Sequence, residues 1–259
     1  MLKTLCARFK QGYRTMPFPV KEETLPQRFL GRPNIAPQVS AEDYAECRAV
    51  CPLGAIAGSA AAPSLDLGKC LFCGECQRAC PGRMVTFTRN YRLAERERES
   101  LVLPFSSRQP EQAVPLRIKN IFGRSLKLRQ VSAGGCNACE ADTNVLATLS
   151  YDLARFGIQF VASPRHADGI LVTGPVTDNM RLALEKTYQA VPPPKLVIAV
   201  GACAISGGPF SGHEEVKNGA DSVIPVDLYV PGCPPHPLTI LDGLLKIMGR
   251  ERLGGKQGR

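Results

Sequence analysis

Lys69-Cys70-Leu-Phe-Cys73-Gly-Glu-Cys76-Gln-Arg-Ala-Cys80-Pro81 decides how the first half of this chain folds. Its spacing is Cys-x2-Cys-x2-Cys-x3-Cys-Pro. Three thiolates this close cap three irons of one 4Fe–4S cubane, and the proline turns the chain so that the fourth cysteine reaches elsewhere. A structural zinc site is satisfied by two Cys pairs and has no use for the third Cys at this spacing. A segment with this pattern folds around metal, and it carries electrons.

The 259 residues allow two modest domains. Of 11 cysteines, seven precede residue 81 and the others stand at 136, 139, 203 and 233. The odd total and the metal-like spacings exclude a secreted disulfide scaffold, and iron-holding thiols need a reducing compartment. The sequence shows neither a signal-peptide pattern at its start nor an apolar run of the roughly 18–20 residues that span a bilayer. The net charge is +9. Part of it gathers at Lys3, Arg8, Lys10, Arg14, Lys21, Arg28 and Arg32, opposed locally by Glu22 and Glu23. Without a groove-reading motif this charge does not indicate nucleic acid. An anionic lipid surface, an acidic partner or plain solvation each accounts for it.

Residues 2–14 fit a short amphipathic helix, with Leu2, Leu5, Cys6, Phe9 and Tyr13 at helical spacing. Such a helix suits a membrane surface, a partner groove or packing on its own domain. Pro17, Pro19, Pro26, Pro33 and Pro37 make residues 16–39 extended, and we expect that stretch to lie along another subunit. Residues 91–130 are charged and irregular, a linker around a boundary near 100–125.

From about 131 the texture is α/β. Residues 139–156 read as a helix, 158–162 and 169–173 as buried strands, 178–190 as a helix, and 195–200 as a strand. Residues 222–226 fit a further strand and 238–248 a closing helix. Alternating strands and helices predict a parallel sheet covered on both faces. Cys136 and Cys139 stand before a helix, Cys203 follows a strand, and Cys233 follows the next apolar run. That is the sheet edge where open α/β folds hold ligands. Gly134, Gly135, Gly201 and Gly232 flank these thiols and let the backbone come close to a bulky group. The four make one 4Fe–4S ligand set, although the spacing alone also fits zinc or buried structural thiols.

At these residues the chain resembles a known family. Gly-Gly-Cys-Asn-Ala-Cys-Glu (134–140), Arg-Phe-Gly-Ile (155–158), Ser-Pro-Arg-His-Ala-Asp (163–168), Gly-Ala-Cys-Ala-Ile-Ser-Gly-Gly (201–208) and Ile-Pro-Val-Asp-Leu-Tyr-Val-Pro-Gly-Cys-Pro-Pro (224–235) carry the resemblance. It is to the small cluster-bearing subunit shared by respiratory complex I and the energy-converting NiFe hydrogenases, formate hydrogenlyase included. The resemblance implies that Cys136, Cys139, Cys203 and Cys233 hold the last 4Fe–4S cluster before the active site of a large partner subunit. Complex I subunits carry two adjacent Cys at the first position. Cys136-x2-Cys139 and His166 resemble the hydrogenase branch instead.

Residues 2–100 resemble the two-cluster ferredoxin subunit of the same complexes, through Leu-Lys-Thr-Leu (2–5), Phe-Leu-Gly-Arg-Pro (29–33) and Lys-Cys-Leu-Phe-Cys-Gly-Glu-Cys (69–76). The chain thus looks like two neighbouring subunits fused. The expected fold is an α+β ferredoxin-like cluster domain followed by an α/β flavodoxin-like parallel-sheet domain. The expected boundaries are a basic, Pro-rich lead-in at 1–39, the cluster domain at 40–90, the linker at 91–130, the second domain at 131–250 and a tail at 251–259.

One departure from the family pattern matters. Ala41 and Tyr44 occupy the first two Cys positions of the first ferredoxin motif, so only Cys47 and Cys51 remain of it. By the family's crossed ligation, Cys51, Cys70, Cys73 and Cys76 complete one cluster. Cys47 and Cys80 are left as free thiols, a disulfide or a residual half-set, and Cys6 is an apolar helix residue. The resemblance therefore implies an electron-transfer subunit with two 4Fe–4S clusters and no complete catalytic centre of its own. It would sit peripherally on the cytoplasmic side of the inner membrane. Its partners would be membrane subunits and a large hydrogenase-like or quinone-site subunit, with no nucleic acid. A complex I-like NADH–quinone subunit and a redox-inactive docking subunit are the competing readings. Glu140 fits either proton coupling or a helix N-terminal acid, and His166 fits either a titrating or a structural role.

Overall fold

The computed structural model describes residues 2–250 except 13, 22, 24, 37 and 104–115. Tyr13, Glu22 and Pro37, the middle of the expected linker and the 251–259 tail lie outside the described residues. The first half comprises α1 (Leu2–Gln11), β1 (Pro33–Ile35), α2 (Ala41–Ala49), β2 (Ile56–Ser59), β3 (Ala62–Asp66), α3 (Glu75–Ala79), β4 (Val85–Phe87) and β5 (Val102–Leu103). β1 pairs antiparallel with β4, and β2, β3 and β5 form a second antiparallel sheet. Ser40 starts α2 by accepting from the Asp43 amide at 3.0 Å. α2 and α3 pack together, and the loops after α2 and before α3 carry cysteines.

The second half comprises α4 (Leu116–Phe122), β6 (Leu126–Ser132), α5 (Ala138–Val145), β7 (Ile158–Phe160), β8 (Gly169–Thr173), α6 (Asp178–Ala190), β9 (Leu196–Val200), α7 (Ala202–Ser206), β10 (Leu228–Val230) and α8 (Pro237–Ile247). Its five strands form one parallel sheet in the order β10-β9-β8-β6-β7. Every residue of β8 and β9 is buried, as apolar runs covered on both faces require. α8 starts with Pro237 in its first turn, where the missing N–H costs nothing, and the His236 ring caps it by accepting from the Leu238 amide at 3.1 Å.

Four expectations are corrected here. Residues 126–130 are not linker but part of β6, an interior strand: Leu126 and Leu128 are buried on one face, and Lys127, Arg129 and the buried Val131 lie on the other. The helix expected at 139–156 stops at Val145. Leu149, on its supposed apolar face, is 63% exposed, and Asp152 turns left-handed (φ 49°) before a single 3-10 turn at Leu153–Phe156. The strand expected at 222–226 lies at Leu228–Val230. Pro225 has no N–H for a ladder, and pairing begins where the Asp227 amide bonds the Val197 carbonyl at 2.9 Å. Residues 16–39 do not wait for another subunit. Phe18 and Leu25 are buried in this chain's own core, and Phe18 meets the rings of Tyr91 and Phe156 edge-on at 6.0 and 6.5 Å. Arg155 donates to the Met16 and Phe18 carbonyls at 2.7 and 3.1 Å. α1, by contrast, leaves Leu2, Leu5 and Phe9 exposed, so it does not pack on its own domain.

A buried ion pair ties residues 94–95 to α8. Lys246 Nζ donates to the Ala94 carbonyl at 2.9 Å and to Glu95 Oε2 at 3.0 Å, while the Glu95 and Tyr229 backbones exchange two hydrogen bonds. Glu95→Ala is expected to cost about 3 kcal/mol, because it strips a buried ammonium of its carboxylate. Chemical denaturation would show this as a lower midpoint at unchanged slope.

Candidate metal centres

Cys51, Cys70, Cys73 and Cys76 line one small cavity, with Leu53, Ile56 and Phe87 among its apolar walls. Cys51 lies in the loop after α2, Cys70 and Cys73 in the loop before α3, and Cys76 on α3 itself. Two backbone amides already point at these sulfurs: Ala55 N–H donates to Cys51 Sγ at 3.2 Å and Phe72 N–H to Cys70 Sγ at 3.3 Å. The loop carrying Cys70 is held from below. Asp66 accepts from the Gly68 amide through its carboxylate (2.9 Å) and from the Cys70 amide through its carbonyl (3.0 Å). Arg98 then grips both Asp66 carboxylate oxygens at 2.8 and 2.6 Å, a bidentate pair.

Cys47 and Cys80 stand outside that cavity, both fully buried. Cys47 donates to the Cys76 carbonyl at 3.4 Å, and Cys80 donates to Glu46 Oε2 at 3.4 Å. Both are free thiols. Tyr44 is buried beside them and donates its hydroxyl to the Gly58 carbonyl at 2.7 Å, so its ring takes up space next to the pair.

In the second half, Cys136 and Cys139 follow β6, Cys203 follows β9, and Cys233 follows β10, all at the carboxyl edge of the parallel sheet. Burial and then the neighbouring Cys203, Glu140, Cys233 and Cys136 push the Cys139 thiol up, which places the four sulfurs in one electrostatic neighbourhood. Two glycines make room for them. A Cβ at Gly201 (φ 92°) would stand 2.5 Å from Cys139 Sγ, and one at Gly208 (φ 54°) 2.8 Å from Cys203 Sγ. Glu140 is 6% exposed. Its Oε1 accepts from Ser132 Oγ and Thr173 Oγ1, both at 2.6 Å. Burial pushes this carboxyl up, but the two hydroxyls outweigh burial and the net shift is downward.

The structure does not bring His166 to this site. β7 ends and β8 begins level with Leu128, so the turn holding His166 lies about 13 Å of strand from the level of Ser132. Sequence reasoning passed over other residues. Ser206 Oγ, on the helix carrying Cys203, donates to the Gly68 carbonyl at 2.9 Å, two residues before Cys70. A Cβ at Gly68 would meet Ile205 Cγ2 and Arg98 Cζ, both at 2.8 Å. The loops of the two cysteine sets therefore touch directly. The nearest sequence signal was Gly68 preceding the Lys69–Cys70 pair.

Four thiols around one cavity are a donor set for a four-iron cluster or for zinc, and binding either must expel thiol protons. Burial holds Cys70 up at about 12 and Cys76 and Cys203 up at about 11, against the ordinary 9.0. The folded metal-free chain therefore keeps protons that the unfolded chain releases above pH 9. The contribution of these thiols to stability is expected to be flat below that and to fall as pH rises from about 9 through 11–12. The slope from Cys70 alone is about 1.4 kcal/mol per pH unit. Thermal melting of reduced, metal-free protein across that range measures it.

The fold and the cysteine edge define a class, an α/β redox subunit with metal-type thiol sets. The family described as NADH ubiquinone oxidoreductase, 20 Kd subunit, matches residues 136–247. The probable membrane-bound hydrogenase subunit mbhJ of Pyrococcus furiosus is 45% identical over 132 residues, 51% of this chain and 78% of its own. This chain belongs to that family. Formate hydrogenlyase subunit 7 of Escherichia coli is 40% identical over 159 residues, 61% of this chain and 62% of its own. An NADH-quinone oxidoreductase subunit of Bacteroides thetaiotaomicron is 42% identical over 134 residues, 51% of this chain and 67% of its own. Among the described residues, no helix is long and apolar enough to cross a membrane.

Proposed function

We propose that this chain is an electron-transfer subunit of a membrane-associated, NiFe-hydrogenase-like complex of the formate hydrogenlyase kind. The observation that carries the reading is the pairing of two four-thiol sets in one chain, one around a cavity and one at the carboxyl edge of the sheet. Cys51, Cys70, Cys73 and Cys76 would hold one 4Fe–4S group, and Cys136, Cys139, Cys203 and Cys233 another. When bound, such groups supply one-electron oxidation and reduction. The chain's own share is to hold, space and shield them. The Gly201 and Gly208 backbones leave room for the sulfurs, and the Ala55 and Phe72 amides supply hydrogen bonds that tune thiolate donors. The Arg98–Asp66 pair and the Ser206–Gly68 contact fix the distance between the sets.

In this reading the first half is a ferredoxin-like module fused to the family's small subunit. The short antiparallel pairs β1–β4 and β2–β3, with α2 against α3, support it. The large catalytic subunit and the membrane subunits are separate chains. The exposed apolar residues of the basic helix α1 suit peripheral contact with the cytoplasmic membrane face. A complex I-like role has its own support in the NADH-quinone oxidoreductase relative. Cys136-x2-Cys139 favours the hydrogenase branch.

Iron and acid-labile sulfide per chain after anaerobic purification, with EPR of the reduced protein, test the proposal. About eight irons, as two 4Fe–4S groups, is the expected result. About twelve would restore a third cluster at Cys47 and Cys80, and about four would break the relay. Folded protein without iron would make the chain a docking subunit.

A further inference from the structure

Of the three cysteines outside both four-thiol sets, Cys47 and Cys80 stand beside two carboxylates. Asp43, Glu46 and Cys47 share one face of α2 at i, i+3 and i+4. Cys80 ends α3 against them. The ligand atoms of Asp43, Glu46 and Cys80 all lie within 4.8 Å of one another; Cys47 stands just outside that group and joins it through a hydrogen bond between its thiol and that of Cys80. We propose that Cys47, Cys80, Asp43 and Glu46 form a mononuclear site for a divalent, zinc-type ion.

Several observations converge on this assignment. A cubane has too few thiols here, two of the four it takes, since Ala41 offers no donor and the Tyr44 hydroxyl is committed to the Gly58 carbonyl. What remains is two soft and two hard donors, a four-ligand set that suits a tetrahedral zinc-type ion better than magnesium or calcium. Both sulfurs are fully buried, whereas the carboxylates reach solvent. An ion therefore has an entry path on the carboxylate side and a dry seat on the sulfur side. Charge also fits. Two thiolates and two carboxylates around a divalent ion leave a net −2. Arg83, with nitrogens 2.6 Å from Asp43 Oδ1 and 3.6 Å from Glu46 Oε2, offsets half of it. Arg83 can keep those outer oxygens while their remaining lone pairs take the ion, as outer partners of metal-bound carboxylates do. Binding breaks two S–H bonds and forms two metal–sulfur bonds, releasing two protons and moving no electrons. The ion would clamp α2 to α3 at the place where this chain lacks two cysteines of the family pattern, without adding a redox step.

The test is zinc and iron analysis of the full chain purified anaerobically. The expected result is one zinc per chain beside the cluster iron. Cys80→Ser loses that zinc with iron unchanged. Asp43→Asn, which keeps the buried thiols, weakens zinc binding about tenfold or more. Cobalt loaded in place of zinc shows thiolate-to-metal charge-transfer absorption that Cys47→Ser weakens and the double Cys47→Ser, Cys80→Ser variant removes. Zinc absent from the unsubstituted chain, zinc retained in Cys80→Ser, or a disulfide-linked peptide carrying Cys47 and Cys80 would each overturn the proposal. Because zinc and iron are counted separately, loss of the cluster reading and loss of this one are distinguishable.

Discussion

Cys51→Ser is expected to remove about four of about eight irons and one reduced EPR signal, whereas Cys47→Ser and Cys80→Ser leave the iron count unchanged. Neighbouring cysteines in one small module divide in this way because of where the chain puts them. Cys51 opens into the cavity shared with Cys70, Cys73 and Cys76, and its sulfur already accepts an amide hydrogen bond from Ala55. Cys47, one helical turn earlier, faces the Cys76 carbonyl from the other side, and Cys80 faces Glu46. Equal iron loss in all three variants would mean that ligation is not crossed as drawn. Loss only in Cys80→Ser would mean that the fourth thiol of the run closes its own cluster. In the Cys51→Ser chain the second set at the sheet edge keeps its iron, but electrons would no longer have their first holding point, so delivery to a partner should cease.

How much of this was legible beforehand depends on the kind of signal. The run from Cys70 to Cys80 pointed to a thiol set by spacing alone, since metal chemistry fixes ligand type and interval more tightly than packing fixes a core, whereas the spacing of Cys136, Cys139, Cys203 and Cys233 also fitted zinc or structural thiols. β8 and β9 were legible for a related reason. Burial on both faces demands unbroken apolar runs, and Gly169–Thr173 and Leu196–Val200 supply them. β6 was not. With Lys127 and Arg129 between Leu126, Leu128 and Val131, it alternates like a half-exposed strand and merges into the charged sequence before it. The helix after Cys139 was overextended because Leu149 and Leu153 keep helical spacing although the chain turns between them. His166 sat in a matching string, yet its edge of the sheet depends on where β7 stops, which no local pattern states. Phe18 is the opposite case. Flanked by Pro17 and Pro19 it looked like a reach toward another chain, but an aromatic side chain buries wherever a partner surface is near, and Tyr91 and Phe156 are at hand.

Gly201→Ala is expected to abolish the second iron set, leaving about four irons per chain, while Gly212→Ala leaves about eight. The pair separates two costs that a glycine substitution usually confounds. Both glycines have positive φ, 92° and 82°, so both substitutions strain the backbone, and Gly201, with ψ 156°, lies in a region that is essentially glycine's alone. At Gly212 the new methyl meets open space. At Gly201 it stands 2.5 Å from Cys139 Sγ, well inside the roughly 3.5–4.0 Å at which heavy atoms rest. The strand-to-helix turn after β9 cannot yield easily, because the Gly201 amide is bonded to the Val230 carbonyl and the Ala202 amide to the Gly232 carbonyl, both at 2.8 Å. Cys139 must then be displaced, and its thiol is lost to any ion the set would hold. If backbone strain alone governed, Gly201→Ala would melt lower and keep its iron. If the glycine exists to admit the sulfur, Gly201→Ala loses the iron of this set whereas Gly212→Ala, strained but unobstructed, keeps it.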